Sequence, residues 1–387
     1  MQIIFWACIG LVLYTYVGYG ILLFFLVKIR GSKIGESVFR ENQELPAITH
    51  IIAAFNEEDY IEEKIQNALN LDFPSDKNNV WVVTDGSNDS TPQLVEKMEG
   101  VKLFHLDERK GKIHAVNRIM PLVETPVVVY SDANTVLNSD SLKNIVRHYQ
   151  DEKVGCVSGE KRIRQEGSEE ASSAGEGMYW KYESFLKKYD YHLYSVVGAA
   201  GELFSIRTEL FEETPTDTLI EDFYLSLSIA QKGYRIAYEP EAYAMENSSE
   251  SIKEEAKRKV RIAAGGHQAI SRLLPLLNVF KYGWLSFQYI SHRVLRWTLT
   301  PIALVMALMS NGLLFEQGIA YQAIFFAQIG FYALAYLGYI LQKRKIKVKA
   351  LFIPFYFTFM NVSVFQGFFR FLRGSQSVLW ERASRKK

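Results

Sequence analysis

Cysteine is nearly absent from this 387-residue chain: there are two, Cys8 inside an apolar run and Cys156 far from it. Neither a disulfide framework nor a cysteine-ligated metal site is encoded, and a reducing compartment is the simpler reading. A net charge of one sign is missing too, with 44 basic side chains against 43 acidic. That balance gives no reason to expect nucleic acid or an acidic partner. With 48% hydrophobic residues, disordered and collagen-like chains are excluded. No G-x-G-x-x-G or G-x-x-x-x-G-K-[ST] follows any strand-like run, which disfavours a Rossmann dinucleotide site and a P-loop. What a mean hydropathy near zero hides is distribution: the charge is gathered in the middle and the ends nearly lack it.

Ile3 to Val27 carries no charge for about 25 positions, enough for a helix to cross a hydrocarbon core of roughly 30 Å. A cleaved signal peptide fits less well, because Met1-Gln2 offers no positive n-region and the basic residues follow the run. Lys28, Arg30 and Lys33 place the segment after this N-terminal transmembrane helix (1–30) in the cytoplasm and leave the N-terminus outside. Charge disappears again after Arg296. Trp297 to Phe315 and Ile319 to Leu341, parted by Glu316-Gln317-Gly318, read as a spanning hairpin (297–341), and Lys343, Arg344, Lys345, Lys347 and Lys349 return the chain to the cytoplasm. A third stretch, Ala350 to Phe369 within 350–372, would by crossing carry Arg370, Arg373, Arg382, Arg385, Lys386 and Lys387 of the basic tail (373–387) outside. It is expected either to span against the positive-inside rule or to form a re-entrant or interfacial element with Pro354 and Asn361 inside it. Leu273 to Trp297 mixes aromatic and apolar residues with Lys281, His292, Arg293 and Arg296, which suits a helix lying in the interface (273–296) or one packed on the soluble part.

The middle, 45–272, alternates short β-branched runs with helical periodicity. Ile48 to Ala54, Val80 to Thr84, Val101 to His105 and Pro126 to Tyr130 read as strands, with an amphipathic run from Glu58 and a helix start at Ser90-Thr91-Pro92. The alternation predicts a doubly wound, mostly parallel α/β sheet. In such sheets ligands sit beyond the carboxyl ends of the strands. Those ends are polar here: Phe55-Asn56-Glu57-Glu58, Asp85-Gly86-Ser87-Asn88-Asp89 and Ser131-Asp132-Ala133-Asn134. Each alone is ordinary turn or cap chemistry; three together at strand ends point to a site. Asp132-Ala133-Asn134 offers two hard oxygen donors, a set suited to Mg2+ or Mn2+ completed by phosphate and water. Arg109-Lys110-Gly111-Lys112 supplies cations for phosphate or ribose oxygens, or is an exposed charged loop.

These residues resemble the bacterial family 2 glycosyltransferases of the GT-A fold, membrane relatives of cellulose, hyaluronan and poly-N-acetylglucosamine synthases. The resemblance covers about Pro46 to Ser271 and runs in order through Ala53-Ala54-Phe55-Asn56-Glu57, Asp85-Gly86-Ser87, Gly111-Lys112 with Ala115 and Asn117, Asp132-Ala133-Asn134, and Ile220-Glu221-Asp222 with Leu225. It implies a GT-A cytoplasmic domain in which Ala53, Asn56, Glu57 and Asp85 line the base and ribose, Lys112 lies beside the nucleotide, and Asp132 belongs to the metal-diphosphate centre. One departure is Asn134, where the family's metal motif ends in aspartate; a neutral carbonyl there alters metal affinity or choice.

Glu221-Asp222 opens a predicted helix through Gln231 and resembles the family's acidic pair, whose aspartate is the base. Inverting displacement at an anomeric carbon needs a carboxylate opposite the leaving group to take the acceptor's proton. An unperturbed Asp titrates near 4, so Asp222 is expected to be ionised at neutral pH without special tuning. The bland alternative is a pair of helix-start carboxylates favoured by the dipole. Gly198-Ala199-Ala200-Gly201-Glu202, ahead of a strand from Leu203 to Arg207, looks like the family's acceptor segment, with Gly201 and Glu202 at the sugar; Met178 to Glu183 either adds aromatic faces or buries them in a core. Arg258-Lys259-Val260-Arg261-Ile262 stands where processive synthases carry a Q-x-x-R-W-like element. Arg258 and Arg261 remain as diphosphate contacts, or as a basic face on anionic lipid, and Ile262 lacks the stacking ring, which weakens the case for long-chain processivity.

The expected activity is therefore transfer of a sugar from a nucleotide diphosphate donor, a UDP-sugar, with Mg or Mn, at the inner face of a bacterial plasma membrane. The expected acceptor is lipid-linked or a growing glycan, in exopolysaccharide or glycolipid assembly, with membrane lipid as a further partner and room for a partner subunit of a synthase complex. Two alternatives stand beside it: a processive polysaccharide synthase, and a non-catalytic glycosyltransferase-like scaffold, for which Asn134 speaks and against which Asp85, Asp132 and Asp222 together speak.

Overall fold

The computed structural model describes residues 1–32, 44–163, 171–247, 251–344, 346 and 348–379, apart from the side chains of 171–179 and 349. Lys33, Lys345, Lys347, the basic residues from Arg382 onward and the side chains of Met178 and Tyr179 lie outside the described set. The chain divides into two compact units: a sheet unit of Ser32–Arg164, Asp190–Glu250 and Ser377–Lys387, and a helical unit of Met1–Gly31, Gln165–Tyr189 and Ser251–Gln376.

The sheet unit is built on β1 (Ile48–Ala54), buried at every position, as expected of a central strand covered on both faces. It lies between β2 (Asn78–Thr84) and β4 (Val127–Asp132), parallel to both, with β3 (Val101–Phe104) parallel at the edge beyond β2. The helix Ile61–Leu69 lays Ile61, Ile65 and Ala68 on this sheet, in one cluster with Ile52, Val80 and Val82. The i, i+4, i+7 spacing makes that stripe, and truncating Ile65 to Ala would cost about 2–5 kcal/mol.

Beyond β4 the sheet is mixed. β5 (Val136–Leu137), β6 (Val154–Ile163), β7 (Leu203–Arg207) and β8 (Arg235–Glu246) complete eight strands in the order β3-β2-β1-β4-β7-β6-β8-β5. β7 runs antiparallel to β4 and to β6, β8 parallel to β6, and β5 antiparallel to β8. Apolar runs read alike in parallel and antiparallel strands. Direction is set by where the connection brings the chain back, here after the long helix Ala171–Leu193 and the segment 194–202.

In the helical unit, among the described residues, three helices are long and apolar enough to cross a membrane: Gln2–Arg30, Ile319–Lys343 and Ala350–Leu372. Trp284–Trp297 and Leu299–Leu313 form a fourth only if taken together, bent by 53°. The segment read as one interfacial helix from Leu273 is thus broken. Pro275 opens a short helical turn, Gly283 (φ 52°) separates Val279–Tyr282 from Trp284–Tyr289, and Ser286, Gln288, Ser291, His292 and Arg296 are buried. The last stretch is one helix, Lys349–Leu372, continuous through Pro354 and Asn361.

Polar pairs tie these helices. Thr15 Oγ1 and Thr300 Oγ1 are 3.0 Å apart, Tyr16 Oη donates to Asn361 Oδ1 at 2.9 Å, and Asn311 Nδ2 donates to Gln328 Oε1 at 2.9 Å. Buried Glu183 gathers His292 (3.3 Å), Arg293 (3.2 Å) and Arg296. Helices Ile252–Arg272 and Lys349–Leu372 meet through small residues: a Cβ on Gly367 would stand 2.5 Å from Ala263 Cβ and 2.7 Å from Ala264 N. Such close approach is a usual means of holding membrane helices together.

Candidate active site

The register of the parallel strands brings their carboxyl ends level: Ala53 lies beside both Val83 and Asp132, and Ala54 beside Thr84. The loops that leave them are knitted together. Asn56 adopts the left-handed backbone (φ 54°), which asparagine tolerates best among non-glycine residues. Its side chain makes a reciprocal pair with Asn88, Nδ2 donating to Asn88 Oδ1 at 2.7 Å and Oδ1 accepting from Asn88 N at 2.9 Å. Glu57 N donates to Thr91 Oγ1 at 2.9 Å. Asn88 and Thr91 carry no motif that reading a single chain could pick out as partners of Asn56 and Glu57.

Asp85 is buried, and its carboxylate accepts from Lys110 N (3.0 and 3.1 Å) and Gly111 N (2.5 Å). It thereby folds the Arg109–Lys112 loop over the strand ends. Gly86 (φ 68°) makes room, since a Cβ there would stand 2.5 Å from Arg109 Cβ and 2.8 Å from its Cα. Arg109 in turn stacks its guanidinium 3.8 Å above the Phe55 ring.

Lys112 opens the helix Lys112–Ile119, the end at which the dipole disfavours a cation. Two carboxylates offset that: Nζ donates to Asp132 Oδ1 at 2.9 Å and lies 2.8 Å from Glu221 Oε1. Burial opposes the ammonium, yet Asp132 and Glu221 outweigh it and hold its pKa above the ordinary lysine value. Asn117 of the same helix donates through Nδ2 to Thr214 O at 2.7 Å and accepts from Thr214 N at 3.3 Å, fixing the loop that leads to Glu221.

Glu221 and Asp222 form the first turn of the helix Glu221–Gln231. Ser226 Oγ donates to Asp222 O (2.6 Å) and accepts from Ala199 N (3.0 Å), while Ala200 N donates to Ser158 Oγ (3.1 Å). These bonds hold the 198–201 segment against Asp222 so closely that a Cβ on Gly201 would stand 3.0 Å from Asp222 Oδ2. Gly201 is thus required by close approach, and Ser226 and Ser158, absent from the motif reading, do the fastening. Burial first, and then neighbouring Glu221, raise the pKa of Asp222 to about 7, with Lys112 opposing. Contrary to expectation, Asp222 is tuned: an unperturbed aspartate is solvated, whereas this one is partly removed from water beside a second carboxylate. Among the described residues no basic side chain pairs with Asp222, whereas Glu221 is paired with Lys112.

Glu202 is held by buried Lys161, whose Nζ donates to its Oε1 at 2.6 Å and also pairs with Glu246. Arg258 and Arg261 lie on the helix Ile252–Arg272 of the helical unit, where Arg258 pairs with Glu255 at 3.3 Å.

The donor set decides what cation these residues suit. Asp132 offers one carboxylate and Asn134 a neutral amide oxygen, and among the described residues no group of three or more His, Cys, Asp or Glu side chains could hold a metal. The described residues form no closed cage. The set fits Mg2+ or Mn2+, which leave most of their shell to phosphate and water, and the Lys112 ammonium between Asp132 and Glu221 marks the corner as one that draws positive charge.

Poly-beta-1,6-N-acetyl-D-glucosamine synthase of Staphylococcus aureus strain MSSA476 is 30% identical over 241 residues, 59% of this chain and 57% of that protein. The synthase of the same name from Staphylococcus epidermidis strain ATCC 35984 is 26% identical over 265 residues, 65% and 62% of the two lengths. The chain thus spans about three-fifths of the length of these curated relatives. The mannosyltransferase PcManGT from Pyrobaculum calidifontis, solved in complex with GDP-Man and Mn2+, superposes with a TM-score of 0.72 at 23% identity, over 96% of this chain and all of that one, so the fold is the GT-A type. The model of the glycosyltransferase like family 2 matches residues 46–265, more than half of the sequence, and to that family this chain belongs.

Proposed function

We propose that the chain is an inverting glycosyltransferase that moves a sugar from a UDP-sugar to a membrane-associated acceptor at the cytoplasmic face of a bacterial inner membrane, in exopolysaccharide or glycolipid synthesis. The observation that carries the proposal is Asp222, a carboxylate free of salt bridges among the described residues, set against the backbone of Gly201 and next to the Lys112–Asp132–Glu221 cluster. Asp222 takes the proton of the acceptor hydroxyl as that oxygen bonds to the anomeric carbon. The bond from that carbon to the diphosphate oxygen breaks, and the nucleoside diphosphate leaves with the electron pair. Glu221 is a poor candidate for the base because Lys112 already neutralises it. Lys112 stands on the side where the leaving diphosphate develops negative charge.

Asp132 and Asn134 would hold Mg2+ or Mn2+, which when bound would supply further neutralisation of the leaving diphosphate. Ala53, Asn56, Glu57 and Asp85 form the base and ribose end in this reading, Asp85 by shaping the loop that closes over the strand ends. The proposal keeps Arg258 and Arg261 as diphosphate contacts on the resemblance of Arg258–Ile262 alone.

The names of the staphylococcal relatives favour a second version, polymerisation of an N-acetylhexosamine, against which Ile262 in place of the stacking tryptophan argues for single transfer. The test is nucleoside diphosphate release by the full chain in mild detergent from UDP-GlcNAc, UDP-glucose and GDP-mannose, with Mn2+, Mg2+ or chelator and membrane lipid extract as acceptor. Release from a UDP-sugar that needs the metal and vanishes in Asp222→Asn is the expected result. A ladder of product lengths would replace single transfer by polymerisation. Turnover undiminished in Asp222→Asn would remove Asp222 as base, and cellular glycan output unchanged in that variant but lost on deletion of the chain would establish the scaffold instead.

A further inference from the structure

Lys64 stands on the inward stripe of the helix Ile61–Leu69, with Ile61, Ile65 and Ala68, and is 1% exposed. An apolar side chain would serve packing there, because burying an ammonium is costly unless it is paired and fully hydrogen-bonded. An ammonium carries three donors. Among the described residues Nζ uses one, to Thr135 Oγ1 at 3.2 Å. Thr135 is not an arbitrary acceptor: its Oγ1 donates to Asp132 O at 2.8 Å and its N to the same oxygen at 3.3 Å. The relay from Lys64 through Thr135 therefore braces, from the core side, the turn that carries Asp132 and Asn134. Burial opposes the charged form of Lys64 and outweighs the Asp132 carboxylate that favours it, so its pKa falls to about 7. His50 is fully buried on β1 with Nε2 2.8 Å from Ser131 Oγ, and burial together with Lys64 holds its pKa well below the ordinary histidine value, so it brings no competing charge.

We infer that Lys64 is a positioning residue of the donor site: through Thr135 it fixes the Asp132–Asn134 turn. The inference rests on the reading of Asp132 as a donor-site carboxylate. It accounts for an under-satisfied cation in a stripe that packing alone would fill with a hydrophobe, the kind of local cost that functional sites carry.

The test uses the full chain in detergent, with UDP and, in parallel, GDP as probes, each with Mn2+, and measures binding by calorimetry and melting temperature on the same samples. Lys64→Met keeps the length of the side chain without its charge; Thr135→Val keeps shape and breaks the relay; Asp132→Asn reports on the underlying reading. Lys64→Met is expected to weaken binding of the favoured nucleotide about tenfold or more, the effect of losing one charge-assisted interaction, with melting unchanged or raised because a buried cation has been removed. Thr135→Val is expected to weaken binding in the same direction. A Lys64→Met protein that melts earlier and binds as before would make Lys64 a structural cation and overturn the inference. So would unchanged binding in both variants while Asp132→Asn loses it. Unchanged binding in Asp132→Asn would overturn the donor-site reading and this inference with it.

Discussion

At the scale of single residues, Asp222 sets the terms. A base must be deprotonated to accept a proton, and this one titrates at about 7. With kcat/KM reporting the free enzyme, activity is expected to rise with pH through a midpoint near 7 and to level off above it. Lys112 and any bound cation pull the midpoint down. A profile flat from pH 5.5 to 8.5 would remove Asp222 from the proton transfer. The same shift has a consequence for stability. Because the folded state binds this proton more tightly than the unfolded chain, its contribution is fully present below about pH 4 and is lost as pH rises to about 7. Asp222→Asn is therefore expected to melt higher than the parent at pH 8 and to lose that advantage at pH 5, which scanning fluorimetry reads directly, while its turnover falls by about 100-fold or more, the range of a lost general base. Gly201→Ala probes the same corner from the other side. Its methyl would press on Asp222 Oδ2, and the expected outcome is a lower kcat with little change in melting temperature.

At the scale of elements, the site depends on fastenings between loops that belong to different parts of the chain. Asn117 joins the helix Lys112–Ile119 to Thr214, and with it Lys112 to the turn before Glu221. Asn117→Ala would leave a buried carbonyl and N–H of Thr214 without their partner. That costs about 1–3 kcal/mol and should lower both melting temperature and kcat, whereas a purely local role would move only the first. In the helical unit, Gly367 lets the helices Ile252–Arg272 and Lys349–Leu372 touch. Gly367→Leu is expected to force them apart and lower the melting temperature of the detergent-solubilised protein, an overpacking effect of about 1–3 kcal/mol; unchanged melting would mean that the contact is dispensable.

For the whole molecule, three helices of sufficient length and apolarity in a chain that also folds an eight-stranded sheet predict retention in the membrane fraction after alkaline carbonate extraction, with release only by detergent. Much of this plan is legible in one chain, because it rests on local properties. An uncharged run such as Ile3 to Val27 is long enough to cross a bilayer whatever its neighbours are. A central parallel strand such as Ile48–Ala54 is mostly apolar because both its faces are covered, and polar residues after such strands mark the ligand edge. Asp85 and Asp132 stand out on those grounds, and Glu221-Asp222 as an acidic pair at a helix start, with the family's motif order to support them. What tertiary structure alone decided are quantities set by residues distant in sequence. The sheet turns antiparallel at β7 because of where a long connection returns. Glu221 and Asp132 share the Lys112 ammonium across 109 and 20 positions of sequence. Asp222 titrates near 7 rather than 4 because burial and Glu221 act on it through space, and Lys64 looks like any lysine in an amphipathic helix until the fold encloses it. Electrostatic energies depend on separation and on the surrounding dielectric, and neither is written along the chain.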